Sequence, residues 1–364
     1  MRKLFILISA FIVLTANAGT YRFLVGTFTK NTPSEGIYTV SLNFKDSVFK
    51  ATLAASGVKD PSYMAFSADK EYLYAVNESG EDSYISAFRF DAETGHLQFI
   101  NKVQAGGADP CYISCSENHV ITGNYSGGNI CVFKRNTDGS VSERIQNIQH
   151  TGSSVNPTRQ NKPHVHQAIF SNDKKFVLVN DLGTDLVTSY FYHKNSPDAV
   201  LALCDTFRVK AGSGPRHLTF NKKGNIAYLI QELDGTLTTF SFNKGKMKKL
   251  NETSVVKLTD LVTGAADIHL SPDGKYLYAT NRGTINDISC FKIDKNGIPE
   301  FVKQISVQGN GPRNFNITSD GKYVLVGNQK SNQIVVLQRN KQTGKLTDTG
   351  IRINVGAPVC ILQY

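Results

Sequence analysis

Arg216, Arg282 and Arg313 fall at related places in a sequence that repeats itself, and so do His166, Glu78, Asp181 and Glu232. Guanidinium groups brought to one place repel each other unless carboxylates or an anionic ligand neutralise them, and their planar forks suit phosphate or carboxylate oxygens. Glu78, Asp181, Glu232 and Asp267 are the carboxylates nearest in the pattern. An imidazole beside such a cluster suits general base work or hydrogen bonding to a substrate, and His166 takes that role. His164 and His166 form an H-x-H on one strand, a spacing that can hold zinc when further ligands converge. No Cys or carboxylate stands at tight ligand spacing nearby, so no metal and no other cofactor is expected. The G-x-S-x-G, H-E-x-x-H and G-x-x-x-x-G-K-[ST] motifs are all missing, which leaves no recognisable covalent nucleophile, zinc protease or phosphate loop.

The repeat decides how these residues meet. Residues 61–90, 266–291 and 312–337 share an apolar segment, an S-x-D-G/K-K turn, a second apolar segment ending in Asn, a loop, and a third segment ending near Phe or Leu. A D-x-x-T-G-x-L turn then leads to a fourth, as in Asp91–Leu97. Weaker copies begin at Pro110, Val165 and Pro215, and a partial copy runs from Ala357 to Tyr364. Short alternating segments rich in Val, Ile, Tyr and Phe between Gly, Asp and Asn turns are strands. Four strands in each repeat of roughly 45–55 residues make one propeller blade. The expected fold is therefore all-β: a seven-bladed propeller of residues 19–364. Its ring closes by pairing Pro358–Tyr364, as innermost strand, with strands from Thr20–Ser56, which removes an open edge.

In such a ring the start of each innermost strand and the end of the second strand share one rim. The first column reads Ser62, Cys111, His166, Arg216, Ala266, Arg313 and Val359, followed by Tyr63, Tyr112, Gln167, His217, Asp267 and Asn314. The second reads Thr27, Asn77, Asn124, Asn180, Gln231, Asn281 and Asn328, followed by Phe28, Glu78, Tyr125, Asp181, Glu232, Arg282 and Gln329. The shared Asn suits a structural task, satisfying backbone groups at a strand end. The residues around it change type from blade to blade, which suggests an asymmetric site on a symmetric scaffold. Of the cysteines, Cys115, Cys131 and Cys290 fall in strand interiors as apolar thiols, and Cys111 sits on the rim four residues from Cys115, too far along one strand to bridge.

Composition narrows the class. The 364 residues hold 40 basic and 30 acidic side chains, 40% hydrophobic residues and six Cys, which excludes disordered, collagen-like, coiled-coil and disulfide-framed chains. Lysines are scattered and no nucleic-acid motif appears, so no nucleic-acid partner is expected. Arg2 and Lys3, the apolar run Leu4–Leu14 and Ala16-Asn17-Ala18 read as a signal peptide over residues 1–18, cleaved after Ala18. The run is short for a membrane span, so the expectation is an exported, periplasmic monomer with no membrane contact after cleavage.

The segments PSYMAFSADKEYLYAVNE, GSGPRHLTFNKKGNIAYLIQEL, SPDGKYLYATNRG and GPRNFNITSDGKYVLVGNQ resemble the lactonase family of seven-bladed propellers, which includes 6-phosphogluconolactonases and carboxymuconate-lactonizing enzymes. The resemblance spans Tyr21 to Tyr364. It implies metal-independent hydrolysis of a sugar lactone, with His166, Arg216, Glu232 and Arg282 as catalytic residues. Glu232 or His166 would activate water, while Arg216 and Arg282 would hold the developing oxyanion. Arg313 would take a phosphate or carboxylate, with His217, Asp181, Glu78 and His164 lining the substrate, a small anionic lactone. Lactonisation of an unsaturated dicarboxylate by the same residues, and a non-enzymatic binding propeller, are the alternatives.

Overall fold

The structure is a computed structural model and describes residues 19–256 and 263–364. The proposed signal segment, residues 1–18, lies outside the described residues. Seven four-stranded antiparallel sheets form the ring. The innermost strands are Met64–Phe66, Pro110–Cys115, Val165–Phe170, Pro215–Phe220, Ala265–Leu270, Pro312–Ile317 and Pro358–Gln363. The sole helical element among the described residues is a 3-10 turn, Gln329–Ser331.

The last innermost strand closes the ring as expected. Pro358–Gln363 pairs with Thr20–Thr27 from Thr27↔Pro358 to Phe23↔Gln363, and Gly36–Asn43 and Val48–Ser56 complete that blade. Val359, Cys360 and Ile361 are buried there. Pairing strands that lie more than 300 residues apart ties both ends of the chain into one cooperative sheet.

The repeated sequence signs have local physical causes. In S-x-D-G-K, Ser271 Oγ donates to Asp273 Oδ1 at 2.5 Å, while the Asp273 carboxylate accepts Lys275 N and Ser271 Oγ accepts Tyr276 N. The same serine or threonine turn recurs at Ser171 and Thr318. It reverses the chain from innermost to second strand. Second strands such as Tyr72–Asn77 are buried throughout, whereas outer strands such as Val48–Ser56 are largely solvated.

Blades pack face to face through apolar side chains. Tyr278, Ile288 and Cys290 meet Phe315, Val324, Val335 and Leu337 across one such junction. Burying a tyrosine requires a partner for its hydroxyl. Tyr74, Tyr228 and Tyr278 donate to the carbonyls of Gly139, Gly297 and Gly344 in the next blade, at 3.1, 3.0 and 2.7 Å. Gly139 has φ +85° and a Cβ there would lie 2.0 Å from the Tyr72 ring, so only glycine fits this junction.

Candidate active site

The innermost strands carry an irregularity that aims side chains at the channel mouth. Val165 pairs with Asp181 but Gln167 with Asn180, so His166 is an extra, unpaired residue. The same shift makes extra residues of Cys111, Arg216, Arg313 and Val359. A bulge of this kind bends the strand and re-aims the side chain it carries. The column read from the sequence is thus a ring of bulges.

Arg216, Arg282 and Glu232 meet at this mouth. Glu232 Oε2 accepts Arg216 Nε at 3.0 Å and pairs with an Arg282 Nη at 2.9 Å. A third cation completes the clamp: an Arg159 Nη donates to Glu232 Oε1 at 2.7 Å and to the Tyr125 hydroxyl at 3.0 Å. Burial alone would raise the Glu232 pKa, but Arg282, Arg216 and Arg159 outweigh it and hold it well below the carboxylate range. A carboxylate so held is a poor proton acceptor. Glu232 therefore neutralises and orients the arginines.

The arginine donors are only partly used. Arg216 also donates through one Nη to Ala266 O, and Arg282 Nε donates to Gly264 O at 3.0 Å. A guanidinium has five N–H groups, so each keeps donors for a ligand. Burial and Arg282 lower the Arg216 pKa to about 9, which still leaves it charged at neutral pH. Arg313 lies over the Phe28 ring at 5.2 Å and has no carboxylate within ion-pair distance among the described residues.

His166 is buried, and among the described residues its Nδ1 has no hydrogen-bond partner. Burial and the charges of Arg216, His217, Arg313 and Arg282 lower its pKa well below the ordinary histidine value. The imidazole is therefore neutral. An anion bound among the arginines would offset their field and ease protonation.

The other expected residues divide. Glu78 belongs to the mouth: it accepts from Ser62 Oγ, and burial raises its pKa against the pull of Arg313. Asp181 does not face the mouth. Its oxygens accept His164 N at 2.8 Å and Gly183 N at 3.0 Å and face His150 Nδ1 at 2.9 Å, so they are taken up in holding the turn. His164 stacks on Tyr125 with ring centroids 4.5 Å apart and bonds Tyr125 O through Nδ1, which makes it a support for that tyrosine. His217 is buried below the mouth, with Nδ1 2.7 Å from Asp267 Oδ1. Cys111 is buried, with Sγ 3.1 Å from His166 O, and its thiol is pushed above its usual pKa by burial. The shared asparagines are structural, as Asn77 and Asn180 show by donating to Lys59 O and Arg216 O at 2.8 and 3.0 Å. Among the described residues no three His, Cys, Asp or Glu side chains converge as a metal site would.

Arg159 escaped the repeat alignment because it lies outside the repeat, in the stretch between Gln149 and Val165. One signal could have found it: the interval from Cys111 to His166 is the longest in the column, which marks an insertion beside the mouth. Asn156 accepts Thr158 N and Arg159 N, and Gln160 Nε2 anchors the stretch to Leu182 O at 2.9 Å.

The chain is similar in sequence and fold to known proteins. The family described as "Lactonase, 7-bladed beta-propeller" matches residues 22–363. A 6-phosphogluconolactonase of Formosa agariphila is 32% identical over 329 residues, covering 88% of this chain and 93% of that protein. A solved structure from Bacteroides fragilis is 38% identical with a TM-score of 0.91, covering 96% of this chain and 99% of that one. The periplasmic gluconolactonase of Pseudomonas aeruginosa is 34% identical with a TM-score of 0.90, covering 94% and 99%. The chain belongs to the lactonase family of seven-bladed β-propellers.

Proposed function

We propose that the chain hydrolyses a small anionic sugar lactone, of the 6-phosphogluconolactone class, at the arginine-lined mouth. The observation that carries the reading is the convergence of Arg216 and Arg282 on Glu232 beside a neutral His166. Names carried by relatives, a 6-phosphogluconolactonase and a gluconolactonase, support a sugar lactone as substrate.

The lactone carbonyl oxygen accepts from the free N–H groups of Arg216 and Arg282. Water adds to the carbonyl carbon and gives one proton to His166, while the two guanidiniums hold the oxyanion. Collapse of the tetrahedral species breaks the ring C–O bond, and the departing oxygen takes the proton held by His166, which returns the imidazole to its neutral form. The product is an open-chain hydroxy acid that ionises at neutral pH. Glu232 keeps the arginines in place at no rearrangement cost during the reaction. Arg313, which has no carboxylate within ion-pair distance among the described residues, takes the phosphate or carboxylate of the substrate. The reading includes export: Arg2, Lys3 and the Leu4–Leu14 run support a signal peptide, and the Pseudomonas relative is named periplasmic.

Acid release measured by pH-stat with 6-phosphogluconolactone and unphosphorylated gluconolactone tests the reading. Release above the spontaneous rate is expected, with the phosphorylated lactone favoured and that preference lost in Arg313→Ala. A rate equal to the spontaneous one on both lactones would refute it.

A further inference from the structure

The arginines occupy one arc of the mouth. Arg216, Arg282 and Arg313 come from three successive blades. The next blade presents the apolar Phe28 and Val359, with Phe28 under the Arg313 guanidinium. The blade after it brings Ser62 and Glu78, and the one after that Cys111. The Cys111 thiol lies within electrostatic reach of Glu78, Arg313 and Arg216 together, so these charges face one opening.

Glu78 and Glu232 hold the same place in their blades but are used differently. Glu232 is saturated by three guanidiniums. Glu78 has no cation within ion-pair distance among the described residues. Ser62 Oγ donates to its Oε2, and its Oε1 accepts no hydrogen bond among the described residues. The fold does not require a carboxylate there, since Phe28, Tyr125 and Gln329 fill the place in other blades. The surroundings decide what Glu78 can hold. Burial raises its pKa against the pull of Arg313 and the Ser62 hydrogen bond, and the nearby Asp109 and Asp60 add to the rise. Both of those acids are committed to the backbone: Asp60 Oδ1 accepts Thr29 N and Lys30 N at 2.6 and 3.0 Å, and Asp109 Oδ1 accepts Gly80 N at 2.7 Å. Three acids beside one opening repel a second anion and favour a neutral hydrogen-bond donor.

We propose that Glu78, fixed by Ser62, accepts the ring hydroxyls of the lactone and makes the mouth selective for polyhydroxylated lactones. The inference rests on the lactone reading and adds an orientation to it. The carbonyl and the anionic substituent lie on the arginine arc, and the hydroxyls lie against Glu78. A hydroxyl donating to a carboxylate makes a charge-assisted bond, roughly twice as strong as a neutral one. A lactone that carries a second carboxylate in place of its hydroxyls meets Glu78, Asp60 and Asp109 instead, and is repelled. The same arc therefore disfavours lactones made from unsaturated dicarboxylates.

Calorimetric titration with product anions tests the contact without turnover. Electrostatics alone predicts that deleting a negative side chain tightens an anion. The hydroxyl contact predicts the opposite sign: Glu78→Ala should bind gluconate and 6-phosphogluconate about tenfold more weakly than wild type. 5-Hydroxypentanoate has the same chain length as the opened ring but none of its other hydroxyls, and should bind Glu78→Ala no more weakly than wild type. Glu78→Gln keeps an acceptor oxygen without the charge; it should show a smaller loss, and it carries the test if the alanine variant does not fold. Unchanged or tighter gluconate binding in a folded variant overturns the hydroxyl role, and so does an equal loss on 5-hydroxypentanoate. A wild type that binds both sugar acids but turns over no lactone overturns the hydrolysis reading alone. A wild type that binds neither overturns both.

Discussion

Replacing Glu232 by Gln keeps the shape of the side chain and removes the one charge that holds Arg159, Arg216 and Arg282 together. At an effective dielectric of about 20, a unit pair about 4 Å apart contributes roughly 4 kcal/mol. Repulsion among the three cations and their desolvation offset much of the sum. Deleting one partner of a buried pair typically costs about 3–5 kcal/mol, because the remaining charge stays buried and uncompensated. For a domain of this length that lowers Tm by about 4–7 °C. Calorimetry of residues 19–364 with and without the substitution reads the shift directly. Phosphate should recover more of the loss in the variant than in wild type, since an anion supplies the missing charge. Turnover should fall more than about tenfold as the guanidiniums lose their orientation. The acid limb of the pH–rate profile should survive, because Glu232 is already ionised throughout that range. An unchanged Tm would refute the clamp. Loss of the acid limb would return the role of base to Glu232.

Other consequences follow from the same contacts. Arg159→Ala removes the most exposed of the three cations, with 40% of its side chain solvated, so Tm should move by less than about 2 °C while KM for an anionic lactone rises severalfold in steady-state assays. His217 is held neutral, with its pKa lowered from 6.5 to about 4 by burial and Arg216. Below pH 6.5 the unfolded chain takes up a proton that folded His217 refuses, so its contribution is complete above pH 6.5. About 3 kcal/mol is lost as pH falls to about 4, which urea midpoints at pH 7.5 and 4.5 would reveal. Deleting residues 358–364 uncovers the ladder edge of Phe23–Thr27 and removes the buried Val359, Cys360 and Ile361. That variant should fail to give a folded monomer on size exclusion and circular dichroism.

The blades were legible because their cause is local. Ser271 and Asp273 build the same turn wherever the motif occurs, and alternating Val, Tyr and Ile can bury one face only as a strand. Ring closure was legible because a lone strand at Pro358–Tyr364 has no other partner of its kind. The rim columns located His166, Arg216, Glu232 and Arg282 because position in a repeat fixes position in the ring. What each side chain does there depends on neighbours far along the chain. Nothing in the repeat shows that Arg159, 73 residues from Glu232, closes the clamp on that carboxylate. Asp181 shares its column with Glu78 and Glu232, yet the turn at Gly183 and His164 captures its Oδ1 and His150 takes Oδ2. The bulges that point His166 and Arg216 into the mouth leave no sign in residue type, since they come from a one-residue mismatch between paired strands.

In the proposed hydrolysis, paired guanidiniums at the mouth hold the oxyanion of a lactone under attack. Arg216→Ala tests it most directly, since Glu232 keeps Arg159 and Arg282 as partners. Acid release from 6-phosphogluconolactone at pH 7, measured beside wild type and corrected for spontaneous hydrolysis, should fall by about 10²-fold in kcat with a smaller change in KM. An unchanged kcat in a folded Arg216→Ala protein would contradict the account.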